Sequence, residues 1–359
     1  MTTTETTRPE EAHMRGSVLL RRWWPWLLVL AILVVLPFLL SWITGVPVEE
    51  GRPRFWQGLL VQVFILAVYA MSYDLLMGYT GILSFGHAMF FGTGAYVVGI
   101  LMKHFTWALP LALLAAIVVS VLQSLLIGVL SLRVRGVYFA MVTLAFAQVF
   151  FILSEATDFR HYTGAEDGLQ GVPVPAWINP TDHRLRFYYL SLGFAILMYV
   201  VARRIVNSPT GRVMIAIREN EDRALMLGYN TFVYKLIAMV VAGVFAALAG
   251  VLSALWNFGA SPSLLHVNRT IDALLMTIIG GVGTLVGPML GAGVLELLGY
   301  WLNNVFGPRW PLVFGLVYVL IVLFVPYGIV GTWRLRSFAW RQGWRDRLGY
   351  LGIRTEGHK

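Results

Sequence analysis

The feature that most constrains this chain is a succession of ten apolar runs. They occupy residues 26–45, 57–77, 87–102, 108–130, 136–153, 186–203, 235–256, 271–286, 287–305 and 311–330. A helix of about 20 apolar residues crosses the hydrocarbon core of a bilayer, so each run is long enough to span it or half span it. The expected fold is all-α: a polytopic membrane protein of about 8–10 transmembrane helices, some short or broken. Composition agrees, because only 13% of the residues are charged and the mean hydropathy is +0.72. A soluble domain carries about 25% charge.

The charge pattern orients the bundle. With the N-terminus inside and every run crossing, 19 of the 27 Lys and Arg fall on the inner side, as the positive-inside rule requires. The net charge of +9 is therefore read as sidedness, and no nucleic-acid partner is inferred. Both termini are expected to be cytoplasmic. Residues 1–25 read as a disordered polar segment, 26–330 as the transmembrane domain and 331–359 as a basic cytoplasmic tail. The first run follows "RRWWPW" and no A-x-A-like cleavage site comes after it, so it reads as a retained span. There are no cysteines, which excludes disulfides and thiolate metal sites. Neither a metal nor a cofactor is expected. H-E-x-x-H, G-x-S-x-G and the phosphate loop ending in G-K-[ST] are all missing, and no enzymatic activity is inferred.

Two stretches break the apolar pattern. "GYTGILSFGHAMFFGTGAYVVG" (78–99) places Gly78, Gly81 and Gly86 beside Thr80 and Ser84. Non-helical backbone at bilayer depth survives only inside protein or against water. This stretch is therefore expected to be a broken helix, with Tyr79, Thr80, Ser84 and His87 offering hydrogen bonds along a pathway. Thr143 and Gln148 are candidates for the same lining, and Gln62, Gln123 and Gln148 are also candidates for interhelical hydrogen bonding. Gly92, Gly94 and Gly99, with Ala88 and Ala95, read as a face for close helix packing. A second break falls at Gly280, Gly281, Gly283 and Gly287, and 274–298 weakly echoes 75–101. Paired interruptions of this kind mark transport sites in helical carriers. Asp74 is placed near the inner end of its span, within reach of the interface. Glu296 is the one acid well inside a run.

Two polar segments remain. The outer loop 154–185 is Gly-, Pro- and acid-rich, with Trp177 at its centre; it reads as a connector or as a docking surface. The inner loop 205–234 carries Ser208-Pro209, a helix start. A single amphipathic helix is expected over 212–227, with Val213, Ile217, Ala224, Leu225 and Leu227 on its apolar face and Gly228 as its stop. Its polar face mixes Arg218, Glu219, Asn220, Glu221, Asp222 and Arg223, a pattern that fits a protein partner better than a lipid surface.

Four stretches, "YDLLMGYTGILSFGHAMFFGTGAY" (73–96), "LRVRGVYFAMVTLAFAQ" (132–148), 208–252 and "MTIIGGVGTLVGPMLGAGVLELL" (276–298), together resemble the permease subunits of branched-chain amino-acid ABC importers, the LivM-like family. The resemblance covers roughly 25–330. It implies a type II-like importer permease fold in a prokaryotic inner membrane. It also implies a second homologous permease, two cytoplasmic ATPase subunits and an extracytoplasmic binding protein. Arg218 to Ala224 and Gly228 would then lie in the segment that docks on the ATPase. The family motif E-A-A, three residues, glycine is met here by Asp222-Arg223-Ala224 and Gly228, so its first two residues depart. Branched-chain amino acids are the implied cargo, with urea and short amides as alternatives. An ion-coupled carrier and a membrane-embedded enzyme are the readings of other classes.

Overall fold

The structure is a computed structural model that describes residues 28–324 and 328–332. The segment 1–25 and the tail beyond 332 lie outside the described residues.

Among these residues ten apolar helices follow the ten runs: α1 (Leu28–Thr44), α2 (Gly51–Thr80), α3 (Ala88–His104), α4 (Leu109–Ser131), α5 (Val137–Glu155), α7 (Arg184–Asn207), α10 (Thr231–Asn257), α11 (Val267–Gly280), α12 (Val286–Phe306) and α13 (Trp310–Phe324). Three short helices, α6 (Arg160–Thr163), α8 (Pro209–Glu219) and α9 (Glu221–Met226), lie in the two polar loops. Six helical stretches are long and apolar enough to cross a membrane: α2, α4, α5, α7, α10 and Val286–Ile321, which holds α12 and most of α13. The chain is an all-α polytopic membrane protein.

Burial makes α2 the axis of the bundle. Within this chain 89% of its most apolar stretch is buried, against 33% for α4 and 28% for α5. The helices α3, α7, α10, α11 and α12 all pack on α2 or on one another. Hydrocarbon supplies no hydrophobic force between helices, so close approach through small residues holds them. A methyl group at Gly94 of α3 would overlap the Ala247 carbonyl of α10, and one at Gly250 would overlap the Phe91 carbonyl. Gly92 and Gly99 likewise face Leu265 and Leu169 at close range. Of the expected small-residue face, Gly94 lies on the α3–α10 seam, whereas Gly92 and Gly99 receive Leu265 and Leu169 from the loops beyond the helices. Gln123 of α4 donates to Thr93 Oγ1 of α3 at 3.1 Å, an interhelical bond of the kind expected for the glutamines.

Contacts sort the loops onto two ends. At one end, Arg54 donates to the Thr181 carbonyl at 2.9 Å and Lys103 to the Gln170 carbonyl at 2.7 Å. There β1 (Leu169–Gln170) pairs antiparallel with β2 (Gly259–Ala260). The loop 154–185 is therefore a folded layer rather than a plain connector, built from α6, short 3-10 turns and β1. At the other end, Arg135 approaches Glu221 and Asp222, and the α11–α12 turn meets the end of α2. These two sets of contacts lie at opposite ends of α2.

One expectation is corrected. The segment 212–227 is not a single helix. Asn220 is extended, with φ −163° and ψ 104°, and its side chain accepts the Arg223 N–H. It ends α8 and caps α9, and the acids Glu221 and Asp222 occupy the first turn of the new helix, where the dipole favours them. The predicted start is correct, since Ser208 Oγ accepts from Gly211 N. Val213, Ile217 and Ala224 form a small apolar cluster with Tyr234. Leu225 and Leu227 point away from it and are exposed.

Candidate functional site

Both helix breaks occur where glycine and polar residues cluster. After Thr80 the chain leaves α2 through Gly81, whose φ of +76° is left-handed. The Gly81 N–H bonds to the Met77 carbonyl, and the Ile82 N–H reaches back to Leu76 at 3.1 Å. A left-handed glycine whose N–H returns to the carbonyl four residues back is the αL pattern for stopping a helix. Residues 81–87 are non-helical. Ser84, Gly86 and His87 within them are buried. A Cβ at Gly86 would overlap the Thr143 carbonyl of α5, so glycine lets this loop lie against α5. The chain re-enters helix at Ala88, whose N–H donates to Thr270 Oγ1 of α11 at 2.9 Å.

The second break, 281–285, contains Gly281 at φ +118°, Gly283 at +74° and Leu285 at +56°. Leu285 is a non-glycine residue in a strained region and is buried. Thr284 Oγ1 accepts from Gly287 N at 3.0 Å, capping α12. At Gly280 and Gly291 a Cβ would overlap the Gly287 and Met276 carbonyls, so α11 and α12 touch through backbone.

The two breaks meet each other. Asp74, on the last turns of α2, accepts from the Gly283 N–H at 2.7 Å through Oδ1 and from the Leu285 N–H at 3.1 Å through Oδ2. Arg218, near the end of α8, donates to the Gly78 carbonyl. Asp74 lies near the end of α2, as expected, and is fully buried within the chain. A buried charge needs partners, and here the turn between α11 and α12 supplies them.

The six predicted pathway residues divide. Tyr79, Thr80, Ser84, His87 and Thr143 are all buried within this chain. Thr80 and Thr143 bond back to the carbonyls of Leu75 and Ala140. His87 is enclosed by Tyr69, Tyr73 and Phe90, with Ser72 Oγ 2.8 Å from its Nε2, so one ring nitrogen is hydrogen-bonded within the chain. Gln148 stands on the exposed face of α5. A cavity of about 260 Å³ lies elsewhere, between α3 and α5 near the strand end, lined by Tyr96, Ile100, Phe150, Leu153 and Phe159 among others. It includes none of the six. Sequence reasoning missed the pairing of Asp74 with the second break and the cap from Thr270; a lone acid in an apolar run was the available signal for the first.

The α8–α9 segment has an inner and an outer side. Glu221 Oε1 lies 2.6 Å from Lys235 Nζ and accepts from Thr231 Oγ1 at 3.1 Å. Burial pushes its carboxyl pKa up, but the Lys235 hydrogen bond and charge, the Thr231 hydroxyl and Arg135 outweigh burial and hold it below the ordinary glutamate value. Glu221 is thus a strut between α9 and α10. The outer side is apolar: Met226 is 85% exposed and Leu227 70%. Gly228, at φ +88° with open space around it, turns the chain back toward α10. Among the described residues no cluster of three or more His, Asp or Glu is placed to hold a metal ion.

Comparison with known proteins matches this chain, over residues 56–326, to the family described as branched-chain amino acid transport system / permease component. The high-affinity branched-chain amino acid transport system permease protein LivM of Salmonella typhimurium is 27% identical over 290 residues, covering 74% of this chain and 68% of that one. The probable LivM of Methanocaldococcus jannaschii is 26% identical over 302 residues, 78% of this chain and 86% of that one. An autoinducer 2 import system permease protein, LsrC of Photorhabdus laumondii, is 27% identical over 178 residues, 47% of this chain and 50% of that one. No solved structure matches. A family match across most of the transmembrane bundle, both helix breaks included, means that this chain belongs to the permease-component family of branched-chain amino acid transport systems.

Proposed function

We propose that this chain is one half of the transmembrane pathway of an ATP-driven importer for leucine, isoleucine and valine. It is the non-catalytic half of the division of labour. A second homologous permease completes the pathway, two ATPase subunits on the cytoplasmic side drive it, and an extracytoplasmic binding protein delivers cargo to the layer formed by 154–185. The membrane is a prokaryotic inner membrane, with both termini on the cytoplasmic side. The breaks at 81–87 and 281–285 are the moving parts, and Tyr79, Thr80, Ser84, His87, Thr143 and Gln148 border the route when it opens.

The observation that carries this reading is the arrangement of α8 and α9. An apolar tip of Met226 and Leu227 stands free on one side, and Arg218 touches the first helix break on the other. Apolar side chains left out of the fold at the end of a charged segment favour a protein partner over a solvated loop. The kinship with LivM proteins supports aliphatic amino acids as cargo.

Reconstitution tests the proposal. Proteoliposomes holding this chain with its partner permease and ATPases, supplied with loaded binding protein and ATP inside, are expected to accumulate labelled leucine. Ribose and urea, offered in parallel, are expected to stay outside. Accumulation by this chain alone on an ion gradient, without nucleotide, would overturn the reading. Uptake of ribose or urea in preference to leucine would overturn the cargo.

A further inference from the structure

We propose that Asp74 and Arg218 are positioning residues that clamp the two helix breaks to α8, so that motion of α8 moves both breaks together. The proposal deepens the reading above, since it rests on α8 and α9 being the segment gripped by the ATPase.

The geometry follows from the ends of helices. The last carbonyls of a helix and the first amides of the next have no partner within the helix. In α2 the Gly81 and Ile82 amides turn back to Met77 and Leu76, which leaves the Gly78 carbonyl to be satisfied from outside. Arg218 satisfies it, and its positive charge suits the negative end of the helix dipole. At the start of α12 the polarity is reversed. The Gly283 and Leu285 amides point at a carboxylate, Asp74, at 2.7 and 3.1 Å, an anion at a helix N-terminus. The strained Leu285 backbone is thereby held by one arm of the carboxylate.

Glycine makes the junction possible. A Cβ at Gly78 would overlap Asp74 Oδ1 and lie 2.6 Å from Gly283 N; one at Gly283 would lie 2.7 Å from Arg218 Nη1 and 3.1 Å from the Gly78 carbonyl. The carboxylate, the guanidinium and both breaks therefore share one site with no space for a further atom. Each bond of the clamp joins a different pair of elements: Arg218 joins α8 to α2, and Asp74 joins α2 to the α11–α12 turn. A displacement of α8 cannot be absorbed by one break alone.

The test uses the assembled transporter in proteoliposomes and reads leucine uptake per ATP hydrolysed. Arg218→Gln removes the charge at an exposed position on α8 and is expected to lower that ratio about tenfold, the scale of one charge-assisted hydrogen bond. Arg218→Lys keeps a cationic donor and is expected to restore most of the ratio. A merely structural role would lower uptake and hydrolysis together and leave the ratio unchanged. An unchanged ratio in Arg218→Gln overturns the proposal. A second measurement does not depend on the ATPase. In the purified chain, Asp74→Asn is expected to speed hydrogen exchange at the Gly283 and Leu285 amides about tenfold. Unchanged exchange there overturns the Asp74 half. Should the wild-type assembly show no ATP-driven uptake, the proposed function falls, and the exchange result still decides whether Asp74 pins the second break.

Discussion

Replacing Gly94 by alanine tests whether backbone contact holds the α3–α10 seam. The new Cβ would sit 2.6 Å from both the carbonyl carbon and the Cα of Ala247. Carbon atoms pack best at about 3.5–4.0 Å, so the two helices must part by about 1 Å. The obstacle is backbone, which no rotamer change can move. Overpacking of this kind costs about 1–3 kcal/mol. Alanine is a better helix former than glycine by about 1 kcal/mol, which offsets part of that cost. The net expectation is a loss of up to about 2 kcal/mol. Gly193 supplies the control: it lies within α7 and has nothing within 4 Å of its virtual Cβ, so Gly193→Ala keeps only the propensity gain. Thermal unfolding in detergent micelles reads both variants. At about 2–4 °C per kcal/mol, Gly94→Ala should unfold up to several degrees below wild type and Gly193→Ala at or above it. A midpoint for Gly94→Ala equal to that of Gly193→Ala would show that α3 and α10 do not touch through backbone at this point.

Two further outcomes follow from single contacts. The Glu221 carboxyl is held below its ordinary range, so its strut to Lys235 stabilises the fold above the unfolded value of about 4.3. That contribution is lost as pH falls through the lower, folded value. Wild type should lose about 1 kcal/mol across this acid window and Glu221→Gln should not; parallel stability–pH curves for the two would remove the strut. Thr270→Val deletes the hydroxyl that accepts the Ala88 N–H and leaves a buried amide unpaired, at about 1–3 kcal/mol. Faster hydrogen exchange at Ala88 and a lower unfolding midpoint are expected, and wild-type exchange at that amide would refute the cap.

The parts of this fold legible in the sequence were those set by apolar length. The run 108–130 became Leu109–Ser131 and the run 136–153 became Val137–Glu155, because hydrocarbon leaves the backbone few choices other than helix. The first break was legible too, since Gly81 supplies the left-handed stop directly. What could not be read was pairing between distant segments. Asp74 looks like an interfacial acid until Gly283 and Leu285, more than 200 positions away, are folded onto it. Asn220 was misread for a local reason. The spacing of Val213, Ile217 and Ala224 continues smoothly through it, so periodicity masks the cap. The acids Glu221 and Asp222 directly after it were the overlooked sign of a new first turn. The pathway residues were chosen for polarity, and polarity alone does not distinguish Thr143, turned into the bundle, from Gln148, turned out of it.

The breaks are better understood as joints than as gaps. In an apolar interior an unpaired amide or carbonyl costs several kcal/mol, so a buried helix end needs something else to complete it. Three ends are completed in this chain, each by a side chain from another element: the α2 end by Arg218 of α8, the α3 start by Thr270 of α11, and the α12 approach by Asp74 of α2. Each satisfied end is therefore also an attachment. A rearrangement that separates these elements must exchange the three partners for water or for new protein groups, and intermediate positions leave buried polar atoms bare. Such a junction favours discrete arrangements over gradual bending. That property arises here from the hydrogen-bonding demands of helix ends in an apolar interior.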